Sequence, residues 1–331
     1  MPNINKLAAL TTIAEPIKHR ALSVYPLKVS KATIANYLVL DEALETGTFR
    51  ITEVSESGSV PSLLAINETS SSVLLLDGEE LIGAKQNRVL NLSVMVAAGS
   101  TTKIPVSCVE AGRWRTESNE FQSVDRVQFA RARAQKLSQV SRSLDSTNEA
   151  VSDQCAVWDT ITAKSSRMRV SSPTGAMAAI YESRKNELKN YITAIPAADE
   201  QVGAVFAIGN SIVGLELFDA HTTYRSLAPK LVASYALDAM EQTESAELPS
   251  FSELQAFIDT LRLAPRHRFM TVGVGETVRL ETVSLVGAAL EMADHCVHLS
   301  AFNRRACEDQ NTSPGPRDAR MQRSSVRARR L

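Results

Sequence analysis

The sequence lacks several features that define whole classes of protein. It has only four cysteines, with no CxxC pair among them, and no run of about 18 apolar residues of the kind that spans a bilayer. The first twenty residues contain no apolar segment ahead of a small-residue cleavage site, so no signal peptide is predicted. We therefore expect a cytoplasmic protein without a disulfide framework and without membrane contact.

An excess of charge of one sign is also missing, because the formal net charge is −1. The exception is the C-terminal segment 304–331, where eight arginines stand against three acidic residues. This segment is nearly free of apolar side chains, so it is predicted to be a basic disordered tail. Nucleic acid is not expected as a partner, except for weak contact through this tail.

What is present is an ordinary globular composition, with 44% hydrophobic and 22% charged residues among 331. Short apolar segments punctuated by Gly, Ser and Asn indicate a β-rich region over 31–112. Apolar residues spaced by three and four predict a helix over 122–145, within a helical region 122–194. A second helix is predicted to start at Ser172, and hairpins and helices follow over 202–302. One of these helices is predicted to open at the capping box Ser250–Glu253, and Pro229 is predicted to start or kink another.

Together these regions predict one domain over residues 1–303, with an α+β fold. We expect a mainly antiparallel, sandwich- or barrel-like β body with inserted helices. Within it the chain repeats itself, because residues 202–218 align without gaps to residues 286–302. The alignment predicts two hairpins with the same register and turn position in equivalent structural places, and chance similarity between apolar strands is the alternative.

Residues 77–91, DGEELIGAKQNRVLN, place a polar stretch between two apolar runs that have the character of interior strands. Polar groups beside a core cost free energy unless they are paired, so this stretch is either a solvated connection or a site at the edge of the core. A strand places alternate residues on one face, but a bulge at Gly83 would change the register. The sequence therefore does not fix which face is buried.

A second polar group lies in the segment IPVSCVEAGRW, where Glu110 shares a strand face with Cys108. A half-buried Glu110 needs a cation, which Lys85 or Arg88 would supply, and Trp114 would cover the pair with an apolar ring. The alternative is a structural ion pair with the cysteine as small core filler, since buried cysteines are mostly inert.

The two segments together combine cations, amides and carboxylates, which is the set of groups that binds an anionic ligand through many hydrogen bonds. As catalytic residues we assign Glu80 and Glu110, either of which would act as the general base. Cys108 is the one candidate nucleophile, although a structural role is favoured for it. The ligand-binding candidates are Glu79, Lys85, Gln86, Asn87, Arg88, Asn91, Arg113 and Trp114.

The histidines give no second site. His295 and His298 have a spacing that occurs at metal sites, but strand neighbours at odd separation point to opposite faces. No metal site is therefore predicted, and the sequence assigns no cofactor and no oligomeric state.

Several ordered segments resemble a known family. LLLDGEELIGAKQNRVLN, IPVSCVEAGRW, VGAVFAI, GLELFD and LVASYALDAM are similar to segments of the ARG and Rhodanese-Phosphatase-superfamily-associated protein domain, the ARPP-type family. The resemblance runs from EPIKHRALSVYPL to VHLSAF and leaves out the basic tail. It carries no established catalytic residue. The positions that match its motifs are Gly78, Glu79, Glu80, Lys85, Gln86, Asn87, Arg88, Asn91, Cys108, Glu110, Arg113 and Trp114.

The family name records a genomic association with ADP-ribosylglycohydrolases and phosphatase-like proteins. The resemblance therefore implies an enzyme that processes an ADP-ribose-like or related phosphorylated nucleoside ligand in NAD- or ADP-ribose-linked metabolism. In this hypothesis Lys85 and Arg88 hold phosphate, and Asn87 and Asn91 orient hydroxyl groups. The alternative is a non-catalytic ligand-binding or assembly module that uses the same polar groups.

Overall fold

A computed structural model defines eighteen strands and eight helices in the part of the chain that it describes. The described residues are 4, 11–30, 34–55, 59–114, 118, 120–245, 247–293 and 295–307. The strands in chain order are β1 Thr11–Ile13, β2 Ile17–His19, β3 Leu22–Val29, β4 Leu38–Val39, β5 Phe49–Glu53, β6 Ser62–Asn67, β7 Val73–Leu75, β8 Glu79–Gly83, β9 Arg88–Leu90, β10 Val94–Val96, β11 Ser100–Cys108, β12 Glu120–Val127, β13 Gln201–Ile208, β14 Ser211–Phe218, β15 Arg266–Met270, β16 Glu276–Glu281, β17 Leu285–Met292 and β18 His295–Asn303. The helices are α1 Leu40–Glu45, α2 Ala130–Thr147, α3 Gln154–Arg167, α4 Ala178–Ser183, α5 Lys185–Ala194, α6 His221–Ala239, α7 Phe251–Leu263 and α8 Arg304–Cys307.

Six strands close into an antiparallel barrel in the order β11-β6-β5-β12-β8-β9. Phe121 of β12 pairs with Ile51 of β5 on one side and with Gly83 of β8 on the other, which completes the ring. A barrel this small is filled by side chains. Its core contains the buried apolar residues Ile51, Leu63, Ala65, Leu81, Leu90, Ile104, Val106 and Phe121.

The connection between β8 and β9 requires a glycine. Gly83 has a φ of +126°, and a Cβ at this position would lie 2.6 Å from Ser118 Oγ and 2.8 Å from Glu120 O. The sequence suggested a bulge at Gly83 in β8. The structure has the irregularity in the partner strand β12 instead, where the register of the β8–β12 pair shifts between Ser123 and Val127.

The register of the barrel identifies the faces of the polar stretch. Leu81 and Leu90 belong to the barrel core. Because side chains two positions apart share a face, Arg88 points into the barrel together with Leu90. Glu80 has the opposite orientation and points outward. The polar stretch therefore contributes side chains both to the interior of the barrel and to its outer surface.

A three-stranded sheet, in the order β10-β7-β4, continues the barrel core. Its β4–β7 pair is parallel and its β10–β7 pair is antiparallel. The side chains of Val73, Leu75, Val94 and Val96 pack with the barrel interior.

The remaining nine strands form one antiparallel sheet in the order β1-β3-β13-β14-β18-β17-β16-β15, with β2 beside β3. The two predicted hairpins are β13–β14 and β17–β18, and β14 pairs with β18 in the middle of the sheet. Their internal registers agree residue for residue, including a shift after Phe206 in one and after Leu290 in the other. The repeat is confirmed, since the hairpins lie symmetrically on either side of the Glu216–Ser300 pair. The predicted α+β class with a mainly antiparallel body is confirmed as well.

The helical predictions need three corrections. Helix α2 begins at Ala130 and not at residue 122, because residues 120–127 form β12 and close the barrel. Helix α3 lies inside the predicted helical region 122–194 but was not predicted as a separate helix. The helix expected to start at Ser172 begins later, as α4, because the segment before it pairs with the chain that follows β11. The backbone N of Gly112 donates to Thr174 O at 2.8 Å there.

Helix α7 begins at the predicted capping box, in which Glu253 N donates to Ser250 Oγ at 3.3 Å and Ser250 N donates to the Glu253 carboxylate at 2.8 Å. Pro229 was expected to start or kink a helix, and it lies inside α6, so it does not start that helix. The first four residues of the predicted tail form α8, and Cys307 is buried. The rest of that tail lies outside the described residues. None of the helices in the described ranges is long and apolar enough to cross a membrane.

Candidate ligand-binding site at one end of the barrel

A polar layer lies inside one end of the barrel. Glu53 ends β5, Arg88 starts β9 and Cys108 ends β11, and all three continue the inward face of their strands. Arg88 and Cys108 are paired directly across β9 and β11. We call these three residues, together with Gln86 and Trp114, the barrel-end site.

Arg88 is fully buried, yet its guanidinium group is only partly used. Its Nη1 donates to Gln86 Oε1 at 3.1 Å. Its Nε and Nη2 have no hydrogen-bond partner among the described residues. Burial is the largest influence on the pKa of Arg88, and it lowers that pKa. Because an unpaired buried donor costs about 1–3 kcal/mol, and more when it is charged, the two free donors point to a ligand.

Glu53 provides the complementary acceptors. Both of its carboxylate oxygens are buried, and neither has a hydrogen-bond partner within the part of the chain that the structure describes. The charge of Glu53 raises the pKa of Arg88, so the two groups are within electrostatic range. They form no direct ion pair among the described contacts. A ligand that accepts hydrogen bonds from Arg88 and donates to Glu53 would satisfy both groups.

Cys108 acts as a hydrogen-bond donor in this site. Its Sγ lies 3.0 Å from Gln86 Oε1. Its backbone N and O both bond to the side-chain amide of Gln154, each at 2.8 Å. Burial raises the pKa of the Cys108 thiol to about 11. The thiol is therefore protonated at neutral pH, which does not suit the role of nucleophile.

Trp114 lies beside the polar layer and is half exposed, at 51% of its surface. Lys85 Nζ is 5.6 Å and Arg88 Cζ is 5.8 Å from the centroid of its ring. Both distances fall within the range of cation–π attraction, which orients the ring toward the two cations. The exposed part of the indole ring offers a flat surface to a ligand.

Glu110 lies in a second cluster, outside the barrel. Its carboxylate pairs with Arg113 at 2.8 Å and accepts from Asn87 N at 3.3 Å and from Thr174 Oγ1 at 2.8 Å. Arg113 also donates to Asn87 Oδ1 at 2.9 Å. The predicted meeting of the two polar segments is confirmed. The expected pairing of Glu110 with Lys85 or Arg88 is wrong, because Arg113, three residues along the chain, takes that place.

Glu80 joins the same outer cluster. Its carboxylate pairs with Arg126 at 2.6 Å, and Arg126 pairs in turn with Glu182 at 2.8 Å. Burial raises the pKa of Glu80 to about 7, with a further contribution from Glu110, although Arg126 opposes the shift. Glu80 therefore exchanges a proton near neutral pH, which is the property of a general acid or base.

Two of the expected ligand-binding residues lie elsewhere. Glu79 pairs with Lys230 of α6 at 2.9 Å and accepts from Leu76 N at 2.8 Å. The Asn91 side chain accepts from Ser107 Oγ at 2.6 Å and donates to the backbone of the loop before α3 at 3.0 Å. Their hydrogen bonds are used to join structural elements, so neither residue belongs to the barrel-end site.

The residues of these clusters that were missed in the sequence include Glu53 and Arg126. For Glu53 a signal exists, because the alternation Phe49, Ile51, Glu53 places the carboxylate on the apolar face of its strand. For Arg126 the signal was hidden by the helical period assigned to β12. Within the described residues, no group of three or more His, Cys, Asp and Glu side chains is placed to hold a metal ion.

These features define an α+β protein that carries a buried, partly unpaired polar site at the end of a small closed barrel. Residues 11–302 match the family model described as ARPP-1, the ARG and Rhodanese-Phosphatase-superfamily-associated Protein domain. The chain therefore belongs to the ARPP-1 family, and the resemblance of its segments is confirmed. The description associates this domain with the rhodanese–phosphatase superfamily. The chain matches no curated protein and no solved structure.

Proposed function

We propose that this protein binds a small phosphorylated ligand at the barrel-end site and processes it, and that the ligand belongs to the ADP-ribose-like or related phosphorylated nucleosides. The observation that carries this proposal is the pair of unpartnered donors on the buried guanidinium of Arg88, counted over the described residues. Arginine binds phosphate through two parallel hydrogen bonds, and Nε and Nη2 are two adjacent donors of the required kind.

The other groups of the site fit the remainder of such a ligand. The unpartnered carboxylate of Glu53 is suited to accept hydrogen bonds from ribose hydroxyl groups. The exposed ring surface of Trp114 is suited to stack on a base. The choice of ADP-ribose among phosphorylated ligands comes from the family's association and not from the geometry, so it belongs to the proposal alone.

The chemical step of the proposal is assigned to Glu53. Among the three candidate carboxylates of these clusters, Glu53 is the one that lies inside the barrel opposite Arg88. Glu80 and Glu110 lie outside the barrel and are held by arginines. We propose that Glu80 and Glu110 are positioning residues. Glu110 acts through its backbone O, which accepts from Gln86 Nε2 at 2.9 Å and so orients the amide that contacts Arg88.

A ligand-binding module without catalysis is the second candidate. The observation that favours it is the occupation of both expected bases, since Glu80 is bonded to Arg126 and Glu110 to Arg113. In that case the barrel-end site binds the same ligand, and no product forms.

The test is a thermal-shift and calorimetric screen with ADP-ribose, NAD, ribose 5-phosphate, AMP and adenosine. A ligand at 100 times its Kd adds about 2.7 kcal/mol to the free energy of unfolding. Arg88→Met should weaken binding of the phosphorylated compounds by about 10- to 100-fold, because charge-assisted hydrogen bonds are lost. Arg50→Met, which removes an exposed arginine paired with Glu68, is the matched control and should bind normally.

Turnover separates the two candidates. Products of any ligand that binds are followed by chromatography and phosphorus NMR. If the protein is an enzyme, Glu53→Gln should keep most of the binding and lose about 10²- to 10⁴-fold in rate. If wild type binds a ligand and forms no product, the binding module is the correct function. Normal binding by Arg88→Met would place the ligand at another site.

A further inference from the structure

A second buried arginine with unpartnered donors, Arg279, lies outside the barrel-end site, beside a small cavity between the barrel and the nine-stranded sheet. The cavity has a volume of about 10 Å³, which is the space of one water-sized particle. Its lining includes Asp77, Ser93, Arg279, Ala288, His298 and Ser300.

The floor of the cavity follows from the register of the sheet. Arg279 of β16 pairs with Ala288 of β17, Ala288 pairs with Ser300 of β18, and Ser300 pairs with Glu216 of β14. These four residues form one row on the same face of the sheet. In the repeat Ser300 is the counterpart of Glu216, so one hairpin carries a carboxylate where the other carries a small hydroxyl group. The cavity exists because the side chains of Ser300 and Ala288 are small and do not fill the space above this row.

The donors that face this space lack acceptors. Arg279 is buried, with 3% of its surface exposed. Its Nε and Nη2 have no hydrogen-bond partner in the described residues, and neither does the hydroxyl group of Ser300. The guanidinium group and the hydroxyl group therefore provide several donors to whatever occupies the cavity.

The charges around the cavity do not cancel. Lys136 pairs with Asp77 at 2.7 Å, and Arg133 pairs with Glu216 at 2.6 Å. Asp77 also lines the cavity, its Oδ2 has no hydrogen-bond partner in the described residues, and its charge raises the pKa of Arg279. Two carboxylates nevertheless stand against the three cations Lys136, Arg133 and Arg279, so one positive charge remains. Burial lowers the pKa of Arg279 to about 10, which still leaves it cationic at neutral pH. A buried cluster with three cations and two carboxylates carries one uncompensated positive charge, and such a charge is costly.

The histidine beside the cavity, His298, cannot balance the positive charge of Arg279, because an imidazole side chain is either neutral or cationic. Ser93 Oγ accepts from Asp77 N at 2.9 Å, so its own proton is directed to His298 Nδ1, which is 2.9 Å away. His298 Nε2 then donates to Glu216 at 3.2 Å in this assignment. The order Ser, His, Glu is that of a catalytic triad, but a cavity of this size admits no acyl substrate.

One more acidic group acts on Arg279, and it does not balance the charge. The carboxylate of Asp145 raises the pKa of Arg279 from a distance. It is half exposed and pairs with His267 at 3.4 Å. Water screens such a surface group, so it compensates a buried cation poorly.

We propose that this cavity binds one small inorganic monovalent anion, chloride, between Arg279 and Ser300. One negative charge completes the buried cluster, and the unpartnered N–H and O–H groups donate to it. The cavity is too small for phosphate or sulfate. The site is independent of the barrel-end site, because it shares none of its residues.

The experiment measures the Tm of the full chain in sodium gluconate and in sodium chloride at equal ionic strength. We expect the Tm to rise with chloride and to level off, with a gain of about 2–4 °C at a tenfold excess over Kd. Arg279→Met should remove this response, and so should Ser300→Val, which fills the cavity and keeps the arginine. Arg262→Met, a substitution of an exposed arginine on α7, should respond as wild type does.

A second measurement is direct. Crystals grown in bromide should show an anomalous peak in the cavity next to Arg279. Coinciding Tm curves in chloride and gluconate for wild type would overturn the proposal. A full chloride response in both cavity variants would overturn it as well, and so would density in the cavity with no anomalous signal, which is water alone.

Discussion

Arg88 and Cys108 donate hydrogen bonds to the same atom, Oε1 of Gln86, at 3.1 and 3.0 Å. The amide nitrogen of Gln86 is fixed in turn by the backbone O of Glu110 at 2.9 Å. One side chain therefore connects the inside of the barrel with the cluster outside it. Because Gln86 is held at both ends, the guanidinium group of Arg88 has a defined position before any ligand arrives.

The first prediction concerns the stability of the ligand-free protein. Arg88→Met removes a buried cation with two unpartnered donors, so the free energy of unfolding should stay the same or rise by up to about 2 kcal/mol. Arg133→Met is the matched control, since Arg133 is equally buried but pairs with Glu216 at 2.6 Å. It should lose about 3–5 kcal/mol. Urea unfolding measures both. Equal destabilisation by the two variants would show that Arg88 is a structural residue.

The second prediction concerns the ion pair between Glu110 and Arg113. Glu110→Gln or Arg113→Met alone should lower the free energy of unfolding by about 3–5 kcal/mol, because each breaks a buried ion pair. The double variant should lose less than the sum of the two. The same cycle on the exposed pair Arg50–Glu68, at a similar distance of 2.9 Å, should show little change. Additive losses at Glu110 and Arg113 would contradict a coupled pair.

The third prediction concerns pH. Glu80 has its pKa raised from 4.5 to about 7 in the folded protein, so the folded state binds the extra proton between these values. Its contribution is favourable at low pH and is lost as the pH rises from 4.5 to 7, by about 3 kcal/mol in total. Relative to Glu80→Gln, wild type should therefore lose stability over this range.

A carboxylate with the opposite shift provides the control for that measurement. Arg50 lowers the pKa of Glu68, so wild type compared with Glu68→Gln should lose stability as the pH falls instead. Denaturant unfolding at several pH values gives both differences. If the difference between wild type and Glu80→Gln does not change with pH, Glu80 titrates at its ordinary pKa.

The fourth prediction concerns the cysteines. Cys155 is exposed, whereas Cys108, Cys296 and Cys307 are buried. Because the reactive species is the thiolate and burial raises the pKa of Cys108, iodoacetamide at pH 7.5 should label Cys155 first. Mass spectrometry should find Cys108 unlabelled until denaturant is added. Rapid native labelling of Cys108 would restore it as a candidate nucleophile.

Local and repeated patterns were the parts of the fold that the sequence could predict. The gap-free alignment of the two hairpins predicted the centre of the large sheet, and the capping box at Ser250 predicted the start of α7. Barrel closure could not be predicted, because it depends on the pairing of Phe121 with Ile51 and Gly83, which are distant in sequence. The spacing of Val124 and Val127 fits a helix as well as a bulged strand.

The site was predicted in its segments but not in its contacts. The polar stretch and the segment around Glu110 do meet. Which cation pairs with Glu110 depends on a turn that places Arg113 within 2.8 Å, and composition alone does not reveal such a turn. Glu53 joins the site from a third segment, and only the closed barrel brings it opposite Arg88.

The large sheet also has a consequence for synthesis on the ribosome. Strand β3 pairs with β13, which follows about 170 residues later in the chain. At about 5–20 residues per second, β3 waits about 10–35 s for its partner, whereas the six strands of the barrel are complete long before. During that interval β3 exposes an unpaired edge and its apolar side chains. Nascent chains halted before residue 201 should therefore recruit chaperones through residues 22–29.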